Sequence, residues 1–120
     1  MKYPSLILGL SLLLVGCNRR DAQLHKEVIG SWSRDTYFHM TLSPDGSFVS
    51  HWTTTNTSLT FQGTWKIQDG SVISTLTNYI AEGTTNVARV GSVDHWTVIR
   101  ADSTSLVYSA GNQVISLTRK

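Results

Sequence analysis

Apolar and polar residues alternate along most of this chain, in short runs that end at turn-forming residues. The longest run is LTFQGTWKIQ, residues 59–68, which keeps a period of two throughout. Its apolar face consists of Leu59, Phe61, Gly63, Trp65 and Ile67. The pattern predicts an antiparallel strand with one buried side, and the glycine predicts a bend or a close backbone approach at Gly63.

Seven further segments have the length and composition of β-strands. They are SWSR (31–34), TYFHMTL (36–42), SFVSHWTTT (47–55), SVISTLTNY (71–79), VDHWTVIR (93–100), SLVYSA (105–110) and QVISLTRK (113–120). The turns SPDG (43–46) and DG (69–70) join neighbours as in β-hairpins. About eight short strands in a meander predict an all-β fold, either an up-and-down barrel or a small sandwich.

Two segments depart from this pattern. DAQLHKEVIG (21–30) predicts a short N-terminal helix, because Asp21 can serve as N-cap, Leu24 and Val28 share one face, and Gly30 can end the helix. The stretch from Ile80 to Gly91 has the weakest pattern, and we expect the longest loop there.

The first 16 residues are mostly apolar, and the only cysteine of the chain, Cys17, follows them directly. Residues 5–16 form an apolar run after a basic start, too short for a transmembrane helix, which needs about 20 residues. The length of this run and the residues on either side of it are typical of a secretory signal peptide. A single cysteine forms no internal disulfide, so Cys17 is either an attachment point or an incidental buried thiol.

The sequence Leu14-Val15-Gly16-Cys17 resembles the bacterial lipobox. The resemblance implies a diacylglyceryl group on the Cys17 sulfur, cleavage before this residue and acylation of its amine, commonly by palmitate. Residues 1–16 are then the signal peptide, residues 17–29 a lipidated tether with the short helix, and residues 30–120 the folded domain. Asn18, instead of Asp, implies the outer membrane facing the periplasm and not the inner membrane.

Composition and charge narrow the function of the folded part. Ten Lys and Arg residues stand against eight Asp and Glu, and three of the ten lie within residues 1–20. The remainder is close to neutral and has no basic stripe, so we expect no nucleic-acid partner. No cofactor motif is present in the sequence.

A longer pattern, GSW…F-x-M-x-L-S-P-D-G-S-F…GTWKIQDG…W-x-V…L-V-Y…L-T-R over residues 30–119, resembles the small lipocalin-like domains of exported bacterial proteins. This resemblance implies a small antiparallel up-and-down β-barrel that binds a ligand. The chain is much shorter than a full lipocalin, and the biotin-binding residues of avidins have no convincing counterparts in it.

Aromatic residues are the candidates for a ligand site, since such side chains dominate small-molecule pockets. We expect Trp32 and Trp65 to fill the core, whereas Trp52 and Trp96 suit either a pocket or the core. The candidate ligand-binding residues are Trp52, Trp96, Tyr79 and Tyr108.

Metal and catalytic sites have weaker support. His39, His51 and His95 could converge with Asp94 at a rim, but no pair has metal-motif spacing, so we expect no metal site. Neither a nucleophile elbow nor paired carboxylates occur, and the domain is therefore expected to be non-enzymatic.

The expected function is binding of a small apolar ligand in the barrel mouth, or of an envelope protein, by a membrane-anchored lipoprotein. The alternative is a periplasmic inhibitor of lysozyme or of a protease, which would act through the 80–91 loop.

Overall fold

The computed structural model describes residues 20–84 and 88–120, so the predicted signal peptide and Cys17 lie outside the described residues. A helix, α1, covers residues 20–28. Eight strands follow: β1 (Gly30–Arg34), β2 (Phe38–Leu42), β3 (Ser47–Thr53), β4 (Ser58–Gln68), β5 (Ser71–Glu82), β6 (Val93–Ala101), β7 (Ser105–Ala110) and β8 (Gln113–Arg119). No helix in these two ranges is long and apolar enough to cross a bilayer.

Each strand pairs with the next in antiparallel fashion, and β1 pairs with β8 to close the barrel. The predicted all-β, antiparallel up-and-down barrel with a short N-terminal helix is therefore confirmed. Residues 20–120 contain α1, the closed hydrogen-bond ladder and a buried apolar cluster, which are the features of a domain that folds on its own.

The hairpin of β4 and β5 is longer than the rest of the barrel. Its pairing continues to Ser58 opposite Glu82, whereas β6 pairs only with residues 71–75 of β5. Ile80 is thus a strand residue, and the segment that joins β5 to β6 covers residues 83–92 instead of starting at Ile80. The sequence pattern missed this end of β5 because a bulge in the β4–β5 pairing interrupts its alternation.

Gly63 lies at that bulge, where the register shifts between Gln62 and Gly63. A Cβ atom at Gly63 would overlap the carbonyl oxygen of Thr75 and crowd the ring of Phe48. The predicted close backbone approach is confirmed, and it is the reason that only glycine fits there.

The alternating apolar positions face inward, as the sequence pattern predicts. Leu42, Trp32, Leu106 and Leu117 are almost fully buried, and together with Val28 of α1 they fill one half of the barrel. The indole Nε1 of Trp32 donates to the carbonyl oxygen of Val28 at 2.8 Å, which fixes the end of α1 against β1. This half of the barrel is closed by the helix.

The role of Asp21 differs from the N-cap prediction. Helix α1 already includes residue 20, and the Asp21 carboxylate accepts hydrogen bonds from the backbone N–H groups of Asp69 and Gly70 at 2.9 and 3.0 Å. The side chain therefore ties α1 to the β4–β5 turn. A second contact supports the same docking, because the ring of His25 stacks on Trp65 with centroids 4.7 Å apart.

Candidate functional site

A cavity of about 760 Å³ occupies the other part of the barrel. Its lining includes Gly111 in the β7–β8 turn and Ala88 and Arg89 in the β5–β6 segment. Those connections lie at the end of the barrel away from α1, since the opposite end of β8, at Arg119, contacts the helix. The cavity is thus open at one end and floored by the packed half.

The walls of the cavity are mostly apolar, and inward-facing small residues leave the space between them. Phe38, Met40, Phe48, Phe61 and Leu76 supply large apolar surface. Ser50, Ser74 and Ala110 occupy inward positions of β3, β5 and β7, where a larger side chain would fill the barrel. An eight-stranded barrel is just wide enough for side chains to fill it, so these small residues explain why this half is hollow.

Two aromatic pairs define opposite parts of the lining. Trp96 of β6 contacts Tyr108 of β7, with centroids 4.4 Å apart and planes tilted by 49°. Trp52 of β3 contacts Phe38 of β2, also at 4.4 Å, with a tilt of 50°. Trp96 and Tyr108 are buried, whereas Trp52 is 41% exposed and lies at the rim.

The Tyr108 phenol is held in its neutral form. Burial raises the pKa of Tyr108 above its usual value of 10.0, and the positive charge of Arg34 opposes this shift to a smaller extent. The phenol is therefore a neutral hydrogen-bond donor or acceptor at neutral pH.

Charged residues are confined to the mouth of the cavity. Arg89, Asp94 and His95 belong to the lining, and all three are exposed. Asp94 is one inward position nearer the open end than Trp96, because alternate residues of β6 face the same side. Below this rim, the described lining residues are uncharged, and they are mostly apolar.

The structure brings three of the four predicted ligand-binding residues together. Trp52, Trp96 and Tyr108 line the cavity, but Tyr79 is not part of the lining. Tyr79 pairs with Phe61 on the extension of β5, beyond the part of that strand that faces β6. Trp32 and Trp65 lie in the core, as expected, with 0% and 4% exposure.

Sequence reasoning missed the serines of the cavity. Ser50 follows Phe48 and precedes Trp52 on one face of β3, and Ser74 lies between Val72 and Leu76 on one face of β5. A small polar residue that interrupts an otherwise apolar face was the available signal for a hollow interior.

The histidines do not converge. His39 and His51 are register partners on β2 and β3, whereas His95 lies on β6, which adjoins neither strand. The Nδ1 atom of His51 is 3.1 Å from the Thr60 hydroxyl. Within residues 20–84 and 88–120, no group of three or more His, Cys, Asp or Glu side chains is placed to hold a metal ion.

Comparisons with models of known protein families, with curated proteins and with solved structures each found no match. The cavity offers apolar surface, hydrogen-bond donors and a charged rim.

Proposed function

We propose that this chain is a lipid-anchored protein of the bacterial cell envelope whose barrel binds a small, largely apolar molecule and catalyses no reaction. The observation that carries the binding function is the open cavity of about 760 Å³ with apolar walls. Small-molecule sites typically measure about 300–1,000 Å³ and are lined by apolar and aromatic side chains with a few polar groups. The size and the lining both fall within that description.

The division of the barrel into a packed half and a hollow half supports this proposal. The packed half, with Trp32 and Leu117, supplies the stability that a small domain needs, so the other half can remain open. Burial of apolar ligand surface there contributes about 25 cal/mol per Å² removed from water.

Native mass spectrometry tests the binding function directly. A soluble protein of residues 18–120, purified from bacteria without detergent, should carry an adduct with the mass of a small lipid or similar molecule. The matched control is the same protein after extraction with organic solvent and refolding, which should return to the apo mass. A protein that takes up neither cellular material nor added apolar probes would contradict a binding function.

The membrane anchor is supported by the lipobox ending at Cys17. With two or three acyl chains the protein is held stably, whereas one chain gives only marginal membrane binding. Cys17→Ala should abolish labelling by radioactive palmitate and move the protein out of the membrane fraction. The control Asn18→Asp should keep the label and shift the protein from the outer to the inner membrane. A labelled Cys17→Ala protein would refute the anchor.

The inhibitor hypothesis has less support from the geometry. The β5–β6 segment is shorter than expected, and its residues 88 and 89 contribute to the cavity lining. The backbone N–H of Gly91 donates to the carbonyl oxygen of Leu76 at 2.7 Å, which holds the end of the segment against β5. We therefore base the proposed function on the cavity.

A further inference from the structure

The four tryptophans fall into two groups according to their indole N–H groups. Trp32 and Trp65, in the packed half, donate to the carbonyl oxygens of Val28 and Ser43 at 2.8 and 3.0 Å. Trp96 is also buried, with 8% exposure, but its indole N–H has no hydrogen-bond partner among the described residues. Trp52, at the rim, is exposed enough for its N–H to reach water.

Two other buried side chains of the cavity are in the same situation as Trp96. Tyr108 is 9% exposed and Ser50 is 7% exposed, and their hydroxyl groups also lack a hydrogen-bond partner within the described chain. All three side chains line the cavity. None of the three polar atoms is among the fully buried, unpartnered side-chain atoms of the described residues, so each is accessible from the cavity, where it can form a hydrogen bond with a ligand.

The chemistry of these groups defines what they can bind. An indole N–H only donates, whereas the Tyr108 hydroxyl donates and accepts. Trp96 and Tyr108 lie on the same wall, with ring centroids 4.4 Å apart, and both can donate to an acceptor atom of a ligand that contacts this wall. Ser50, on β3, is a separate donor on another part of the lining.

The charge of the ligand follows from the position of the ionisable residues. Arg89, Asp94 and His95 lie at the exposed mouth, and the described lining contains no other charged side chain. Arg34 lies outside this lining, and its charge offsets only part of the effect of burial on the pKa of Tyr108. Transfer of an unpaired carboxylate from water into such a site is far more costly than transfer of a ketone, ester or amide.

We propose that the cavity selects apolar molecules that carry an uncharged hydrogen-bond acceptor, such as a ketone, ester or amide oxygen, and that Trp96 and Tyr108 bind this acceptor. The proposal rests on the proposed function, because it names the ligand class of the same cavity. Apolar surface supplies the affinity, and the Trp96–Tyr108 wall supplies the selectivity.

Three matched probes test the ligand class: acetylnaphthalene, ethylnaphthalene and naphthoate, all substituted at the same ring position. The first two differ mainly by one carbonyl oxygen, and the third carries a carboxylate. Hydrophobicity alone would favour ethylnaphthalene, which has the larger apolar surface. Isothermal titration calorimetry with residues 18–120 should instead show at least tenfold tighter binding of acetylnaphthalene than of either other probe.

Conservative variants test the two donors. Trp96→Phe with Tyr108→Phe keeps aromatic rings in place but removes both donors, and it should abolish the preference for acetylnaphthalene while ethylnaphthalene still binds. Tyr79→Phe makes the same chemical change outside the cavity lining and should keep the wild-type preference. Thermal unfolding confirms that each variant is folded before its binding is compared.

The outcomes separate this proposal from the proposed function. If ethylnaphthalene binds as well as acetylnaphthalene, or if the double variant keeps the preference, the acceptor proposal is overturned and apolar binding stands. Tightest binding of naphthoate overturns the uncharged ligand class in the same way. If none of the probes binds the folded protein, the proposed function loses its support together with this proposal.

Discussion

The guanidinium carbon of Arg119 lies 4.2 Å from the centroid of the Trp32 ring, so the last residue of β8 covers the central tryptophan of β1. The same guanidinium donates from Nη1 to the carbonyl oxygen of Ile29 and from Nη2 to that of Glu27, at 3.0 and 3.1 Å. The Arg119 side chain therefore connects β8, the last strand of the barrel, both to β1 and to the end of α1. It covers the end of the packed half that lies next to α1.

Replacement of Arg119 should destabilise the barrel. Arg119→Ala removes a cation–π contact and three charge-assisted hydrogen bonds, the third of them to the carbonyl oxygen of Asp102 at 3.4 Å. We expect the free energy of unfolding to fall by about 2–4 kcal/mol. Arg119→Lys keeps the charge but loses the planar fork, so it should recover only part of this loss. Urea unfolding measures both changes.

Arg100→Ala is the matched control. Arg100 forms an ion pair with Asp102 at 3.6 Å, and its side chain is 64% exposed. An exposed pair of this kind contributes little to stability, because water and salt screen the attraction between the two charges. Equal losses for the Arg100 and Arg119 variants would contradict the role assigned to Arg119.

Asp21 should secure α1 to the β4–β5 turn. Asp21→Ala leaves the N–H groups of Asp69 and Gly70 without their acceptor, and we expect a loss of about 1–2 kcal/mol. Hydrogen exchange should accelerate at these two amides. Glu27→Ala, on the same helix, removes only an exposed side-chain contact with Gln23 and should leave both amides protected. Unchanged exchange in Asp21→Ala would rule out this docking role.

The β6–β7 turn should respond to acid through Asp102. Backbone N–H groups of Thr104 and Ser105 donate to this carboxylate and lower the pKa of Asp102 from 3.8 to about 2. Because the folded pKa lies below the unfolded one, the contribution is complete above pH 4 and is lost as the pH falls towards 2.

Carboxyl NMR titration measures the pKa of Asp102 directly. Asp102→Asn should remove this part of the pH dependence of stability, and the difference in unfolding free energy between wild type and variant should shrink between pH 4 and 2. A measured pKa near 3.8 would show that the two backbone N–H groups do not hold the carboxylate in solution.

The barrel fold could be predicted from local sequence patterns. Period-two patterning specifies which face of a strand is buried, and turns such as Asp69-Gly70 fix which strands are neighbours, so fold class and most strand limits could be predicted. The contacts of Asp21 and Arg119 with distant backbone could not, because both depend on how α1 meets the closed barrel.

The cavity was only partly predictable for a similar reason. The sequence indicates that Trp52, Trp96 and Tyr108 are aromatic residues on strands, but the choice between pocket and core depends on the size of the side chains opposite them. Ser50 and Ser74 decide this choice, since they place little volume in the middle of the barrel. Tyr79, the fourth predicted ligand-binding residue, is paired with Phe61 on β4 and lies beyond Thr75, the last residue of β5 that pairs with β6.

A larger apolar side chain at position 74 should raise the stability of the protein and weaken its binding of a ligand in the cavity. Ser74 faces the cavity from β5, and Ser74→Leu adds apolar volume there, so we expect the protein to gain about 0.5–2 kcal/mol of stability. The same side chain should reduce the affinity for ethylnaphthalene at least tenfold, because it occupies part of the space that the ring needs. Calorimetry and urea unfolding of one preparation measure both effects.

The neighbouring position provides the control for this experiment. Thr75 is the next residue of β5 and faces the outside of the barrel, so Thr75→Leu adds the same type of side chain without entering the cavity. Its affinity for the probe should equal that of the wild type. If Ser74→Leu binds ethylnaphthalene unchanged while Thr75→Leu does not, the probe occupies the outer surface of β5, and the cavity is not the binding site.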